Sequence, residues 1–418
     1  MSYVHYSALS LIRHGLSGQR YWPRLWRDAQ PKASYDVLIV GGGGHGLATA
    51  YYLAAEHGLR NIAVIEKGWL GGGNVARNTA IVRSNYLLPE SSSLYDRALR
   101  LWESMAHDLN YNVMFSQRGV VTLAHTEHDL LKVRQRVEAN RANGVESEFL
   151  DLPALKRFVP ILNTDRNVRF PILGASLQRT AGIARHDAVT WGYARALQRL
   201  GVDIIQNCEV NGFDVERGRI KGVRTTRGAI LAQKVCLSVS GHSSILAAMA
   251  GFRLPITTRV LQAFVSEPVK PLLDTVVMSS TLHIYVSQSD KGEMVFGLAP
   301  DRYPGYGPTG SFHILEQSMR NVCAYFPMLR RLRMMRQWSG IIDASADGSP
   351  ILGKTPVDGL YINTGWGSGG FKATPAAGWV MAHTIARDEP HALNAPFSLD
   401  RFRTGHLMDE LGAGAVAH

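Results

Sequence analysis

The stretch Tyr35–Gly46, YDVLIVGGGGHG, decides the fold when it is taken together with Glu66 at the end of NIAVIE. Val37 to Val40 is a short apolar run of the kind that forms a buried parallel strand. It passes directly into Gly41, Gly43 and Gly46 in G-x-G-x-x-G spacing. LATAYYLAAEHG follows with helical periodicity, and a second apolar strand then ends on an acid. Strand, glycine loop, helix, strand and acid in this order mark a dinucleotide-binding unit. The first glycine permits the tight turn, the second lets backbone approach a pyrophosphate, and the third lets helix pack on strand. Free N–H groups and the partial positive charge at the helix N-terminus favour that pyrophosphate. Gly42, Gly44, His45 and Lys67 border the same loop, and Glu66 is placed to accept hydrogen bonds from a ribose hydroxyl.

Outward from this unit, the chain reads as an ordinary globular protein of 418 residues, 45% hydrophobic and 19% charged, long enough for two intimately joined domains. No apolar run approaches the roughly 20 residues that span a bilayer, so no membrane is expected. The net charge of +11 points to an acidic substrate or an acidic partner subunit. The basic residues are scattered, apart from RRLRMMR at 330–336, read as a solvated helix face, and the N-terminal segment. Nucleic acid is therefore not an expected partner. Cys208, Cys236 and Cys323 have neither disulfide-framework nor metal-ligand spacing, which suits a reducing, cytoplasmic setting and no metal. Residues 1–33 carry Arg13, Arg20, Arg24, Arg27 and Lys32 against Asp28, together with Trp22 and Trp26. The aromatics favour an arm that docks on another subunit; a transit-type leader and a plain surface extension are the alternatives.

The element order predicts a mixed α/β fold, with a Rossmann-like dinucleotide domain and an inserted antiparallel, β-rich substrate domain. The expected divisions are an extension at 1–33, the dinucleotide domain at 34–90, a mixed cap segment at 91–180, a return to the first domain at 181–245, the antiparallel substrate sheet at 246–335, and a last return at 336–418. Alternating runs in LPITTRVLQAFVSEP and TLHIYVSQSDKGEMVFGL carry the antiparallel assignment. An enclosing second wall suits a flavoprotein better than a nicotinamide dehydrogenase.

Longer segments then show a resemblance. YDVLIVGGGGHGLATAYYLA, EKGWLGGGNVARNTAIVRSNY, FSQRGVVTLAH, AGIARHDAV, GVDIIQNCEV and NTGWGSGGFKATPAAG resemble the β subunits of heterotetrameric sarcosine oxidases. These are a branch of the D-amino-acid-oxidase-like FAD oxidoreductases. The resemblance covers nearly the whole chain. It implies oxidative demethylation of sarcosine to glycine and formaldehyde, or to methylene-tetrahydrofolate with a partner subunit, and α, γ and δ partner subunits. It further implies noncovalent FAD, and covalent FMN that passes electrons to oxygen. Another secondary amine such as dimethylglycine, or a non-catalytic electron-relay subunit, are the alternative readings.

The resemblance also implies site residues. Arg83 in AIVRSNY and Lys372 in GSGGFKATP match carboxylate-binding cations, and Tyr285 matches a tyrosine near the flavin ring, with His283 a candidate for a companion histidine. His186 in GIARHDAV matches the histidine that bonds FMN, with Asp187 placed to orient the ring or cap the following helix. Asn74, Arg77, Asn78, Thr79, Val210, Gly241, Gly367, Gly369 and Gly370 match positions along FAD. Monomeric relatives tether FAD through a cysteine, whereas WSGIIDASADGSPILGKTP contains none.

Overall fold

The computed structural model describes residues 7–20 and 25–409; Trp22 and Arg24 of the expected docking arm lie outside them. Among the described residues no helix is long and apolar enough to cross a membrane.

The apolar run at the glycine loop becomes the strand Ser34–Val40, at the centre of the first sheet. It pairs in parallel with Ile62–Ile65 on one side and Gly228–Leu237 on the other. Asp203–Ile205 and Leu360–Thr364 extend the sheet, again in parallel. Parallel strands need crossovers, and the helices Gly44–Ala55 and Gly370–Arg387 supply a packed layer over them. Gly378 lets these two helices touch, since a Cβ there would fall on Ala48. Their contact is nearly all small or aliphatic, which is why the glycine-loop helix is buried along most of its length.

The second sheet has the order Met334–Ser345, Ile256–Pro268, Glu293–Pro304, Ile284–Gln288, Val276–Ser279, Val120–Ala124, Gly174–Gln178, Glu148–Leu150. It is antiparallel except where Val276–Ser279 meets Val120–Ala124 in parallel. Three strands from within 120–178 therefore complete a sheet whose other five come from 256–345. The strand Met334–Ser345 runs across the expected division at 335/336. It pairs along its length with Ile256–Pro268, because a sheet edge is ended by chain geometry and not by composition. The segment 330–336 is not a helix face: Phe312–Tyr325 ends before Pro327, a short 3-10 turn closes at Arg331, and Met334 begins the strand.

The N-terminal helix Ala8–Leu16 buries none of its residues and exposes Leu9, Leu11, Ile12 and Leu16. Beyond it the chain is pinned to its own body. Asp203 receives Arg27, Lys32 at 2.8 Å and the Tyr35 hydroxyl at 3.1 Å.

At the C-terminal end Arg401 and Asp347 form a buried, bidentate ion pair at 2.7 and 2.8 Å. Burial raises the Asp347 carboxyl, but the Arg401 guanidinium and the N–H groups of Met408 and Ser349 outweigh it and hold it below the usual range. Such a carboxylate stabilises the fold above its unfolded pKa, and the contribution is lost as pH falls through the depressed folded value. Arg401→Met leaves the carboxylate buried and unpaired, so a loss of about 3–5 kcal/mol is expected at neutral pH. Denaturant melts at neutral and acidic pH check this, and the gap from wild type should close as the pH drops.

Candidate active site

A cavity of about 640 Å³ lies between the two sheets, within the range of sites that hold a cofactor and a small ligand. Its first wall is the glycine loop. Gly41 has φ 111°, and a Cβ there would fall on the Ser238 carbonyl oxygen, so no other residue fits the turn. A Cβ at Gly46 would fall on the Gly41 carbonyl, which fixes the close helix–strand packing. Gly41, Gly43, Gly44 and His45 line the cavity, whereas Gly42 and Gly46 sit behind it. Glu66 and Lys67 also line it. The Glu66 carboxylate accepts the Gly42 and Gly68 N–H groups, both at 2.9 Å, and so holds the loop. Lys67 lies 3.3 Å from His242 Nε2, and burial followed by Lys67 lowers the His242 pKa.

The loop after Glu66 forms the second wall through Asn74, Arg77, Asn78 and Thr79. Asn74 bonds like a strand: its amide accepts the Ile341 N–H at 2.9 Å and donates to the Ile341 carbonyl at 2.6 Å. The outer edge of Met334–Ser345 is thereby tied to the loop after Glu66. Val210, Gly241, Gly367 and Gly370 line the cavity, while Gly369 packs against Tyr95 instead.

Arg83 and Lys372 come together at the far wall. Each is 7% exposed. Arg83 follows the short strand Ile81–Val82, donates to Asn85 Oδ1 at 2.8 Å, and lies 4.8 Å over the Tyr86 ring. Lys372 is the third residue of Gly370–Arg387 and donates to the Ser368 carbonyl at 3.0 Å. Among the described residues neither has a carboxylate partner. Burial, and after it the Arg83 charge, hold the Lys372 ammonium well below the ordinary lysine pKa. Tyr285 faces the same cavity from the second sheet, its phenol raised by burial against the opposing effect of a Thr79 hydrogen bond. His283 stands at a turn with φ 49° and does not line the cavity.

Several participants carried no sequence signal. Asn363 Oδ1 accepts Trp366 Nε1 at 2.7 Å and lies 3.0 Å from His45 Nδ1, and its Nδ2 is buried at the cavity wall with no partner among the described residues. Asp343, raised by burial, receives Thr364 and the Gly365 N–H. A buried donor at the wall and a glycine loop with no room for side chains both fit a flavin dinucleotide.

His186 lies elsewhere. It opens the helix His186–Leu200, with Arg185 as the capping residue, so Asp187 is in the first turn and not the cap. Asp187 pairs instead with Arg185, which also reaches Asp290 at 3.0 Å. Burial lowers the His186 pKa, and Arg185 and Arg336 add to that against the opposing Asp187 charge. The imidazole is thus biased towards its neutral, nucleophilic form. A second cavity of about 300 Å³ adjoins, lined by Tyr111, Arg185, Asp187 and Trp191 among others.

These features define a flavin-dependent oxidoreductase. The sequence model of the family described as FAD dependent oxidoreductase (DAO) matches residues 36–384, and the chain belongs to that family. It is 56% identical over 394 residues to the sarcosine oxidase subunit beta of an Arthrobacter species, covering 94% of this chain and 97% of that one. It is 51% identical over 413 residues to the sarcosine oxidase subunit beta of Rhodobacter capsulatus, covering 99% of each. Its fold is similar to that of L-proline dehydrogenase from P. horikoshii, with a TM-score of 0.83, 25% identity, and coverage of 90% of this chain and 100% of that one.

The lowered Lys372 pKa has a measurable consequence. A deprotonated lysine is a poor anion ligand, so affinity for acetate should fall as pH rises through a value below the ordinary lysine pKa of about 10.4. Lys372→Met should bind more weakly at pH values where Lys372 is protonated, and should lose that pH dependence. Acetate titrations of the flavin spectrum across a wide pH range check both.

Proposed function

We propose that this chain is the catalytic subunit of a multi-subunit sarcosine oxidase, oxidising sarcosine to glycine and formaldehyde. The observation that carries the reading is the pair of buried basic side chains, Arg83 and Lys372, without a carboxylate partner among the described residues. Holding two positive charges out of water is costly unless an anion joins them. A small amino-acid carboxylate supplies that anion and would be held by guanidinium and ammonium together. Clamped there, its amine and N-methyl group would sit in a cavity walled by Tyr285, Ala263 and Met278. The chemistry supplied by the bound flavins is acceptance of a hydride equivalent at FAD and onward transfer through FMN to oxygen. Arg83 and Lys372 orient the substrate for that step, and the burial of the site keeps water from competing for their charges.

FAD would be held without a covalent bond by Gly41, Gly43, Glu66, the 74–79 loop and Gly367. FMN would be held on His186, whose burial-favoured neutral imidazole supports the assignment. The oxidised amine would be hydrolysed by water, its C–N bond breaking to release glycine and formaldehyde, or its methylene group would pass to tetrahydrofolate on the α subunit. The relatives are named as β subunits, and the exposed apolar face of Ala8–Leu16 supports a role for the N-terminal arm at a subunit contact with the α, γ or δ chain. Three free cysteines support a cytoplasmic setting.

In the co-expressed complex, Arg83→Ala and Lys372→Ala are each expected to raise the KM for sarcosine at least about tenfold, the scale of a lost charge-assisted contact, with FAD content unchanged. Oxygen-uptake kinetics beside flavin quantitation test this, and near-wild-type saturation by either variant would remove that residue from the site. The likeness to L-proline dehydrogenase favours a second reading, in which a cyclic secondary amine is oxidised. Proline outperforming sarcosine in kcat/KM would establish it. His186→Asn should release all flavin on acid precipitation; retained flavin would contradict the FMN assignment.

A further inference from the structure

One glycine in the second sheet has no backbone reason to be there. Gly297 sits mid-strand in Glu293–Pro304, in ordinary extended conformation. Glycine inside a strand weakens it and marks a place where something approaches the backbone closely. Here the approaching group is the Tyr285 ring. A Cβ built on Gly297 would fall inside that ring, among Cζ, Cε1 and Cε2. The two residues are direct cross-strand partners, so the phenol folds flat over the glycine in the manner by which aromatic side chains cover a sheet glycine.

The row in which this happens faces the cavity. Gly297 is in register with Ala263 on its other side, Ala263 with Trp338, and Tyr285 with Met278. Met278, Tyr285 and Ala263 line the cavity, while Gly297 is hidden beneath the ring. Trp338 is held at the end of the row by its Nε1 donating to the Arg77 carbonyl at 2.8 Å. Two small residues, Gly297 and Ala263, thus separate two large rings. The depth available to a ligand at this wall depends on how low the Tyr285 ring lies, and that depends on the missing Cβ.

We propose that Gly297 is a specificity-determining position: it seats the Tyr285 ring against the sheet, and any side chain there would push the phenol off Thr79 and into the space that receives the substrate's N-substituent. This rests on the reading that the cavity takes a small amino-acid carboxylate. Gly297 itself would touch no substrate and acts through Tyr285 as a positioning residue.

The test uses the co-expressed, flavin-loaded complex and two non-oxidisable probes, methoxyacetate and ethoxyacetate, which differ by one methylene. Binding is read from perturbation of the visible flavin spectrum, so it does not depend on turnover. Gly297→Ala should weaken ethoxyacetate about tenfold more than methoxyacetate, the scale of one misfitted methylene. In a Tyr285→Ala background the same substitution should change neither affinity by more than about twofold, because coupled neighbours are non-additive. Equal weakening of both probes, wild-type affinities in Gly297→Ala, or an undiminished effect without the Tyr285 ring would overturn the proposal. Should Gly297→Ala fail to assemble, recovery of assembly in the double variant supports the seat, and failure of both refutes it. Sarcosine oxidation by wild type is scored separately, so the loss of the functional reading and the loss of this proposal remain distinguishable.

Discussion

Two basic side chains, Arg83 and Lys372, brought together out of water are the constraint on which the candidate site depends. Lys372 is in the first turn of a helix, where the backbone already presents partial positive charge, and Arg83 adds a second cation. Neither is stabilised by a carboxylate among the described residues; both are held by neutral groups. Asn85 and the Tyr86 face support Arg83. Tyr86 stacks on Tyr95 at 3.7 Å, and Tyr95 stands edge-on to Trp366. Trp102 Nε1 donates to the Lys372 carbonyl at 2.8 Å. This run of aromatic side chains fixes the cations without cancelling them. That arrangement supports the proposed role of the pair in holding an exogenous anion, which a purely structural ion pair would not.

The second sheet completes the arrangement by supplying a wall opposite the dinucleotide loop. The two layers are joined by polar side chains acting as backbone. Asn74 hydrogen-bonds both groups of Ile341, and Asp343 gathers Thr364 and the Gly365 N–H. Movement of the loop after Glu66 would therefore expose unsatisfied groups on the edge strand. The same device that protects the sheet edge holds the cavity-lining residues of that loop in place.

Much of this was legible in the sequence. The glycine spacing, the apolar runs around it and Glu66 specify a local unit whose geometry follows from backbone sterics, and the sheet centred on Ser34–Val40 follows from them. The cavity-lining positions Asn74, Arg77, Asn78, Thr79, Gly367, Gly370 and Lys372 were reached through resemblance, because the contacts that unite them are long-range. Other features had no local signal. The parallel pairing of Val276–Ser279 with Val120–Ala124 links segments about 150 residues apart, and no periodicity encodes a partner. The basic run at 330–336 resembled a helix face, but Pro327 ends the helix and the register with Ile256–Pro268 takes the remainder into a sheet. Asn363 and Gly297 are unremarkable letters whose significance lies in what crosses them, Trp366 and His45 for the first and the Tyr285 ring for the second.

In the proposed function Arg83 and Lys372 hold a substrate oxidised within this chain, and its electrons leave through a second flavin. An anaerobic titration of the co-expressed complex with sarcosine, followed at the visible flavin maximum, addresses it directly. Complete bleaching is expected, with electron equivalents for two fully reduced flavins per copy of this chain. An unbleached spectrum with FAD demonstrably bound would contradict it.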